Sequence, residues 1–299
     1  MKVGAGLVLG FPEGEVQARA LAQAAGLPYA GIEVHRFPDG ESRVRLPAEL
    51  LGQVIVYRSL DHPNEKLVEL ALASATARDL GASDLTLVAP YLCYMRQDLA
   101  FVPGEAVSQR IVGALLAQWF DALVTVDPHL HRVRGLGEAV PARRVVCLRA
   151  AGPMADLLAR VADRPLILGP DSESRQWVAA VAAVQGLDHG VAVKERLGDR
   201  DVRITLPDLD PRGRTVVLVD DVVSTGRTLI ALAEALRPLG PASISVLATH
   251  GLFCEGALEG LAAAGVGQVW TSDSVPHATN RVHLAPLLAA ALGGAGPGP

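Results

Sequence analysis

Two adjacent carboxylates, Asp220 and Asp221, stand three residues ahead of Ser224, Thr225, Gly226, Arg227 and Thr228 in the string TVVLVDDVVSTGRT. The apolar, β-branched run before them reads as a buried strand, and LIALAEAL after them as a helix. A strand that turns into a helix aims backbone N–H groups at one spot, and the helix dipole adds partial positive charge there. Hydroxyls of Ser224, Thr225 and Thr228 add donors, and Gly226 lets the backbone approach closely. That combination cradles a phosphate monoester. The two carboxylates would repel a bare phosphate. They fit a ligand that also carries hydroxyls, or a metal bound between them, and a sugar phosphate meets both conditions. The plainer alternative is an ordinary strand–helix junction.

Five further clusters carry chemistry. Arg36, Phe37, Asp39 and Glu41 lie in RFPDGE, where an aromatic ring and carboxylates on a turn can stack on and hydrogen-bond a purine; a solvated surface turn is the other reading. Arg96 and Gln97, in YMRQD, offer a guanidinium fork and a neutral amide to a polyphosphate. Asp127, His129 and His131 lie in VDPHLH, beyond a predicted strand. Zinc would want a fuller set of strong ligands, so His129 suits an Mg²⁺–phosphate group better; a plain loop histidine remains open. Asp171 in GPDSESR follows another strand, as a metal-linked acid or as a simple helix cap. Lys194 and Arg196 flank Glu195 at the start of a charged stretch, residues 195–206, that reads as a mobile hairpin or flap. Such cations can close over a reacting polyphosphate, unless they are an ordinary solvated charge run.

The elements that position these clusters follow from periodicity. Strands are expected over 3–9, 31–36, 42–46, 53–58, 85–89, 122–126, 165–168, 191–194, 215–219, 244–248 and 269–271. Helices are expected over 15–25, 64–80 with Asn64 as its cap, 105–119, 154–160, 173–185, 229–236, 256–264 and 284–292. Strands alternating with helices imply a parallel α/β sheet. The pattern runs twice, so two similar α/β domains are expected, with a boundary near 141–150. Asp127, Asp171, Lys194 and Asp220 each fall at or beyond a predicted strand end, where such sheets bind ligands.

Composition bounds the rest. The 299 residues are half hydrophobic, enough for real cores, and the net charge of −5 gives no reason for a nucleic-acid partner. Cys93, Cys147 and Cys254 are widely spaced, which argues against a disulfide framework and for a reducing cytoplasm. The opening MKVGAGLVLGFPEG is a poor signal peptide, and no apolar run reaches the length of a membrane span.

In this order and spacing, RFPDGE, Y-x-RQD, VDPH, PD, KER and VDDxxSTGxT resemble the ribose-phosphate diphosphokinase (phosphoribosyl-pyrophosphate synthetase) family, closer to its archaeal-type members. The resemblance implies two phosphoribosyltransferase-like domains, each a mainly parallel sheet flanked by helices. Residues 1–145 would form the ATP side and 146–283 the ribose 5-phosphate side. Residues 284–292 would be a terminal helix packing back on the first domain, and 293–299 a disordered tail. The implied reaction moves the β,γ-diphosphoryl group of ATP to the 1-hydroxyl of ribose 5-phosphate, with Mg²⁺, in a cytoplasmic homo-oligomer. By the same resemblance, Phe37, Asp39, Glu41, Arg96, Gln97 and His129 bind ATP, with the adenine held across a subunit interface. Asp220, Asp221, Ser224, Thr225, Gly226, Arg227 and Thr228 bind ribose 5-phosphate. His129 and Asp171 serve the metal, and Lys194 and Arg196 the transition state. The chain departs from the family's usual pattern at Ser172, Glu173 and Ser174, at Arg227, and at Leu99, Ala100, Phe101 and Val102, positions that bear on affinity and regulation.

Two other functions share parts of this pattern. A phosphoribosyltransferase that consumes phosphoribosyl pyrophosphate shares the 224–228 loop but gives no reason for RFPDGE, RQD or KER. A non-catalytic regulatory paralogue would be expected to have lost Lys194, Arg196, Asp220 or Asp221, and all four are present.

Overall fold

Apolar runs of four to nine residues alternate with alanine- and leucine-rich stretches along the chain, and the central runs become strands buried on both faces. The structure is a computed structural model that describes residues 6–50, 52–130, 132–196, 202–254 and 256–293. Residues 1–5, His131, part of the expected flap (197–201) and the tail from 294 lie outside that set. The described residues divide into two units, one ending at Leu148 and regaining the chain from Leu284, the other running from Arg149 to His283.

The first unit contains β1 (Leu7–Gly10), α1 (Glu15–Ala25), β2 (Tyr29–Gly31), β3 (Glu33–Arg36), β4 (Ser42–Arg45), β5 (Gly52–Tyr57), α2 (Pro63–Asp79), β6 (Ala82–Val88), α3 (Ser108–Trp119), β7 (Ala122–Val126), α4 (Leu136–Ala139) and β8 (Arg144–Leu148). Six of these strands form a parallel sheet in the order β2-β1-β5-β6-β7-β8, while β3 and β4 pair apart as an antiparallel hairpin. Leu9, Val54, Val56, Leu85, Leu87 and Leu123 build its core against Leu70 and Ala73 of α2 and Leu116 of α3. Each fully buried aliphatic side chain of this kind contributes about 1.5–3 kcal/mol.

The second unit contains α5 (Ala151–Val161), β9 (Leu166–Gly169), α6 (Arg175–Gln185), β10 (His189–Val191), β11 (Val193–Arg196), β12 (Val202–Thr205), β13 (Thr215–Val223), α7 (Arg227–Leu236), β14 (Ser243–Gly251), α8 (Ala257–Ala263), β15 (Gln268–Ser272) and β16 (Asn280–Val282). Its parallel sheet runs β10-β9-β13-β14-β15-β16, and β11 pairs with β12 as a separate hairpin. Leu229, Leu232 and Leu236 repeat along α7 and bury against Leu166, Val216, Leu218 and Val246. The last helix, α9 (Ala285–Leu292), packs on α1 and β8 of the first unit.

The two units repeat one topology, including the hairpin between the second and third sheet strands. Even the crossover bonds recur. Ile32 N–H donates to Gly10 O at 2.8 Å in the first unit, and Ala192 N–H to Gly169 O at 2.9 Å in the second.

Several expected elements differ. The run 31–36 is split: residues to Gly31 belong to the sheet, and Glu33–Arg36 turns away into the hairpin. The run 191–194 splits in the same way into β10 and β11. Residues 141–148, expected to lead into the second set of elements, end in β8, which pairs with β7. Asn64 does not cap α2. The cap position is His62, and the Asn64 amide oxygen instead accepts a hydrogen bond from the Tyr94 hydroxyl. The helix expected from 105 starts at Ser108, because the Glu105 carboxylate turns back to accept from the backbone of Phe101 at 2.7 Å.

Candidate active site

The strand carrying the paired carboxylates is longer than expected. β13 continues through Asp220 and Asp221 to Val223, paired all along with β14. Both acids therefore sit on a rigid strand, with the hydroxyl-rich turn directly beyond it. Gly226 adopts φ +69°, a left-handed conformation that glycine takes without strain, and α7 begins at the next residue. No side chain caps α7, so its first-turn N–H groups stay open to an anion. Thr225 and Arg227 are exposed, and Ser224 and Thr228 half-buried. The neighbouring segment braces this turn: Leu252 and Phe253 N–H donate to Val223 O, and Cys254 N–H to Ser224 O at 3.0 Å. The Cys254 thiol lies 3.1 Å from the Ser224 hydroxyl, a contact that no sequence pattern announces.

Asp221 is buried, and the Asp220 carboxyl is pushed well above the usual carboxylate range, first by burial and then by the charges of Asp221 and Asp171. Asp220 thus lies in the field of two further carboxylates of the second unit. One oxygen of Asp171 also accepts from Glu173 N–H at 3.0 Å, but this closes the turn ahead of α6: the cap position is Ser174, with no side-chain cap bond, so the helix-capping reading of Asp171 is not met. Among the described residues no group of three or more His, Cys, Asp or Glu side chains could hold a metal by itself. Lys194 and Arg196 lie on β11, in register with Ile204 and Val202 of β12.

In the first unit the β3–β4 turn is closed by Phe37 N–H to Glu41 O at 2.8 Å and Gly40 N–H to Phe37 O at 3.0 Å. It presents Phe37, Asp39 and Glu41 to solvent, with the Phe37 ring edge-on to His35. Arg36, of the same motif, is folded back instead onto Glu65 at 3.1 Å and Glu69 at 3.3 Å.

The 94–98 loop is built from unusual geometry. Tyr94 has φ +60°, held by its bond to Asn64. Asp98 is turned inward and holds Arg132 at 2.6 Å, so it is structural here. Arg96 between them is exposed, with no ion-pair partner among the described residues. Asp127, directly after β7, is buried with φ +38° and donates its N–H to Leu148 O at 2.9 Å; His129 beyond it is half-buried.

The first unit also has a crevice of about 580 Å³ lined by Glu13, Arg36, Arg58, Glu65, Lys66 and Glu69. Its cations are all neutralised in place. Arg58 bonds Glu69 and Glu13, and Lys66 bonds Asp61 at 2.7 Å.

Residues 9–119 match the family model for the N-terminal domain of ribose phosphate pyrophosphokinase, and residues 154–251 the model for the phosphoribosyl transferase domain. The ribose-phosphate pyrophosphokinase of Methanopyrus kandleri is 37% identical over 288 residues, 96% of this chain and 98% of that one. That of Pyrococcus furiosus is 32% identical, over 92% of this chain and 94% of its own. The crystal structure of phosphoribosylpyrophosphate synthetase from Mycobacterium smegmatis superposes with a TM-score of 0.83, covering 97% of this chain and 99% of that one at 23% identity, which shows a shared fold.

Proposed function

Because the chain belongs to the ribose-phosphate pyrophosphokinase family, we propose that it transfers the β,γ-diphosphoryl group of ATP to the 1-hydroxyl of ribose 5-phosphate, giving 5-phosphoribosyl 1-diphosphate and AMP. The observation that carries this reading is β13 itself, which runs Asp220 and Asp221 straight into an uncapped helix start.

The 5-phosphate sits on the turn of Ser224, Thr225, Gly226, Arg227 and Thr228, where N–H groups, hydroxyls and the exposed Arg227 meet its charge. Asp220 and Asp221 accept hydrogen bonds from the ribose hydroxyls and so orient the ring. In the first unit Phe37 stacks on the adenine, Asp39 and Glu41 accept from its amino group, and Arg96 and Gln97 engage the polyphosphate with His129 beside it. The 1-hydroxyl oxygen gives up its proton to solvent and forms a bond to the β-phosphorus as the bond from that phosphorus to the bridging α-phosphate oxygen breaks, and AMP leaves with that oxygen. Such a displacement needs in-line alignment and charge neutralisation more than covalent help. Lys194 and Arg196 provide two positive charges for the oxygens that gain charge.

Mg²⁺ bound with the substrate phosphates would supply further neutralisation there. Asp171 would hold such an ion together with water and phosphate ligands. His129 lies on the phosphate side of the same reading.

A homo-oligomer goes with this reading. Phe37 is exposed at a hairpin tip, and Val68, Leu72, Ile111 and Leu115 leave apolar surface on α2 and α3. Light scattering on the purified protein tests it. A cytoplasmic location is supported by three cysteines without a disulfide; no helix among the described residues is long and apolar enough to cross a membrane.

The deciding experiment measures AMP and phosphoribosyl pyrophosphate from ATP, ribose 5-phosphate and Mg²⁺. Equimolar products are expected. ATP binding without turnover would favour the regulatory paralogue, and base ribosylation without ATP use would favour a phosphoribosyltransferase.

A further inference from the structure

Gln109 is fully buried in the first turn of α3, yet its backbone N–H and its side-chain amide both donate out of the helix to one loop. Its backbone N–H donates to Gln97 O at 3.2 Å, and its side-chain Nε2–H donates to Met95 O at 3.1 Å. The two carbonyls that bracket Arg96 are therefore both tied to a single residue. The orientation of the amide follows from its partner, because a backbone carbonyl only accepts and so must face Nε2. That leaves Oε1 buried with no partner. A buried amide oxygen without a donor destabilises the fold, and an apolar side chain of the same size would avoid the penalty. The amide is therefore explained by its hold on Met95 and not by packing.

The rest of the loop shows what that hold acts against. Tyr94 is in a left-handed conformation that non-glycine residues adopt only under constraint, tied at its hydroxyl to Asn64. Asp98 is fixed through Arg132. Arg96 is the exposed cation at the centre of a loop fixed on both sides.

We propose that Gln109 is a positioning residue for nucleotide binding: by fastening Met95 O and Gln97 O it fixes the backbone on both sides of Arg96 and presents Arg96 and Gln97 to a polyphosphate. The proposal rests on the reading that Arg96 and Gln97 meet ATP.

The test uses the full-length protein and four forms: wild type, Gln109→Met, Arg96→Ala and the double variant. ATP and ribose 5-phosphate affinities are measured by calorimetry and as KM, with Tm alongside. Methionine keeps the volume and removes both the donor and the orphaned oxygen, so Tm is expected to stay close to wild type. The affinity for ATP falls roughly tenfold, the scale at which a small misplacement of a binding group is felt, while that for ribose 5-phosphate is unchanged. In the Arg96→Ala background the same substitution adds less than about twofold, since coupled residues are not additive. The proposal is overturned if Gln109→Met leaves ATP affinity intact, lowers both affinities alike, or adds its whole factor to a weakened Arg96→Ala. Arg96→Ala with wild-type ATP affinity overturns the reading of Arg96; an ATP-only effect of Gln109→Met then supports a hold exerted through Gln97. Should Gln109→Met not fold, Gln109→Asn, whose amide stops one methylene short of Met95, gives the same discrimination.

Discussion

Arg58 holds the place in the first sheet that Asp220 holds in the second. Gly10 and Gly169 are equivalent by their crossover bonds; Gly10 pairs with Tyr57, and one step before Gly169, Leu168 pairs with Leu218. The next residue on the third strand is Arg58 in one unit and Asp220 in the other. Arg58 is 1% exposed, stacks over the Phe11 ring at 3.7 Å and is clamped by Glu69 and Glu13. The same architecture thus carries a self-neutralising ion network at this place in the first unit and a carboxylate, on a strand that leads into an uncapped helix start, in the second.

Glu69→Gln breaks a pair buried on both sides. Arg58 would keep only the half-exposed Glu13 carboxylate, and losing its buried partner should cost up to about 3–5 kcal/mol of stability, read by urea denaturation. Burial raises the Glu69 pKa, but hydrogen bonds from Arg58, Ser42 and Arg36 outweigh it and hold the carboxyl below its ordinary value. Its stabilisation is therefore present above the unfolded pKa and disappears as pH falls through the folded one. Acid denaturation should be shallower in Glu69→Gln than in wild type; equal slopes would mean the carboxylate is not held by this network.

Asp220→Asn and Asp221→Asn should each weaken ribose 5-phosphate binding by roughly ten- to a hundredfold, as expected for losing a charged hydrogen bond. ATP affinity should not move. Calorimetry with each substrate alone checks this, and a parallel loss of ATP affinity would count against a sugar-binding role.

Lys194→Ala should lower kcat on the order of 10²–10³-fold, the range for one preorganised donor to developing charge, with both substrates still bound. A KM effect at unchanged kcat would reassign Lys194 to ground-state binding.

Chelation of divalent metal with EDTA should abolish diphosphoryl transfer and leave Tm unchanged, because no cluster among the described residues could hold a structural ion by itself. A fall in Tm on chelation would point to a metal that is part of the fold.

Gly113→Ala should be among the most damaging small substitutions. A Cβ there would lie 1.7 Å from the Ala139 carbonyl oxygen, a backbone atom of α4. Relief requires α3 and α4 to separate, costing about 1–3 kcal/mol or more. At this chain size each kcal/mol lowers Tm by roughly 2–4 °C, which calorimetry resolves.

Much was legible in the chain itself. α1 at Glu15–Ala25 and β7 at Ala122–Val126 fall where periodicity puts them, because apolar spacing reports directly which face is buried. The strand–turn–helix around 220–228 was equally legible, although the strand runs on to Val223, because its apolar runs are contiguous. The splitting of 31–36 and 191–194 into sheet and hairpin was not, because one β-rich run satisfies either pairing until its partner strands arrive. Asn64, Asp98 and Gln109 were hidden for another reason. Each is a common polar residue with no local pattern that announces its bond, and their partners Tyr94, Arg132 and Met95 are 14 or more residues away. By itself, the order of residues determined two parallel α/β halves and the strand–turn–helix that carries Asp220 to Thr228, both products of short-range spacing. Only the tertiary structure decided which charges are spent on each other and which stay available. Arg58 and Arg96 are the same side chain by chemistry; burial among carboxylates neutralises one, and a loop braced from both sides leaves the other free.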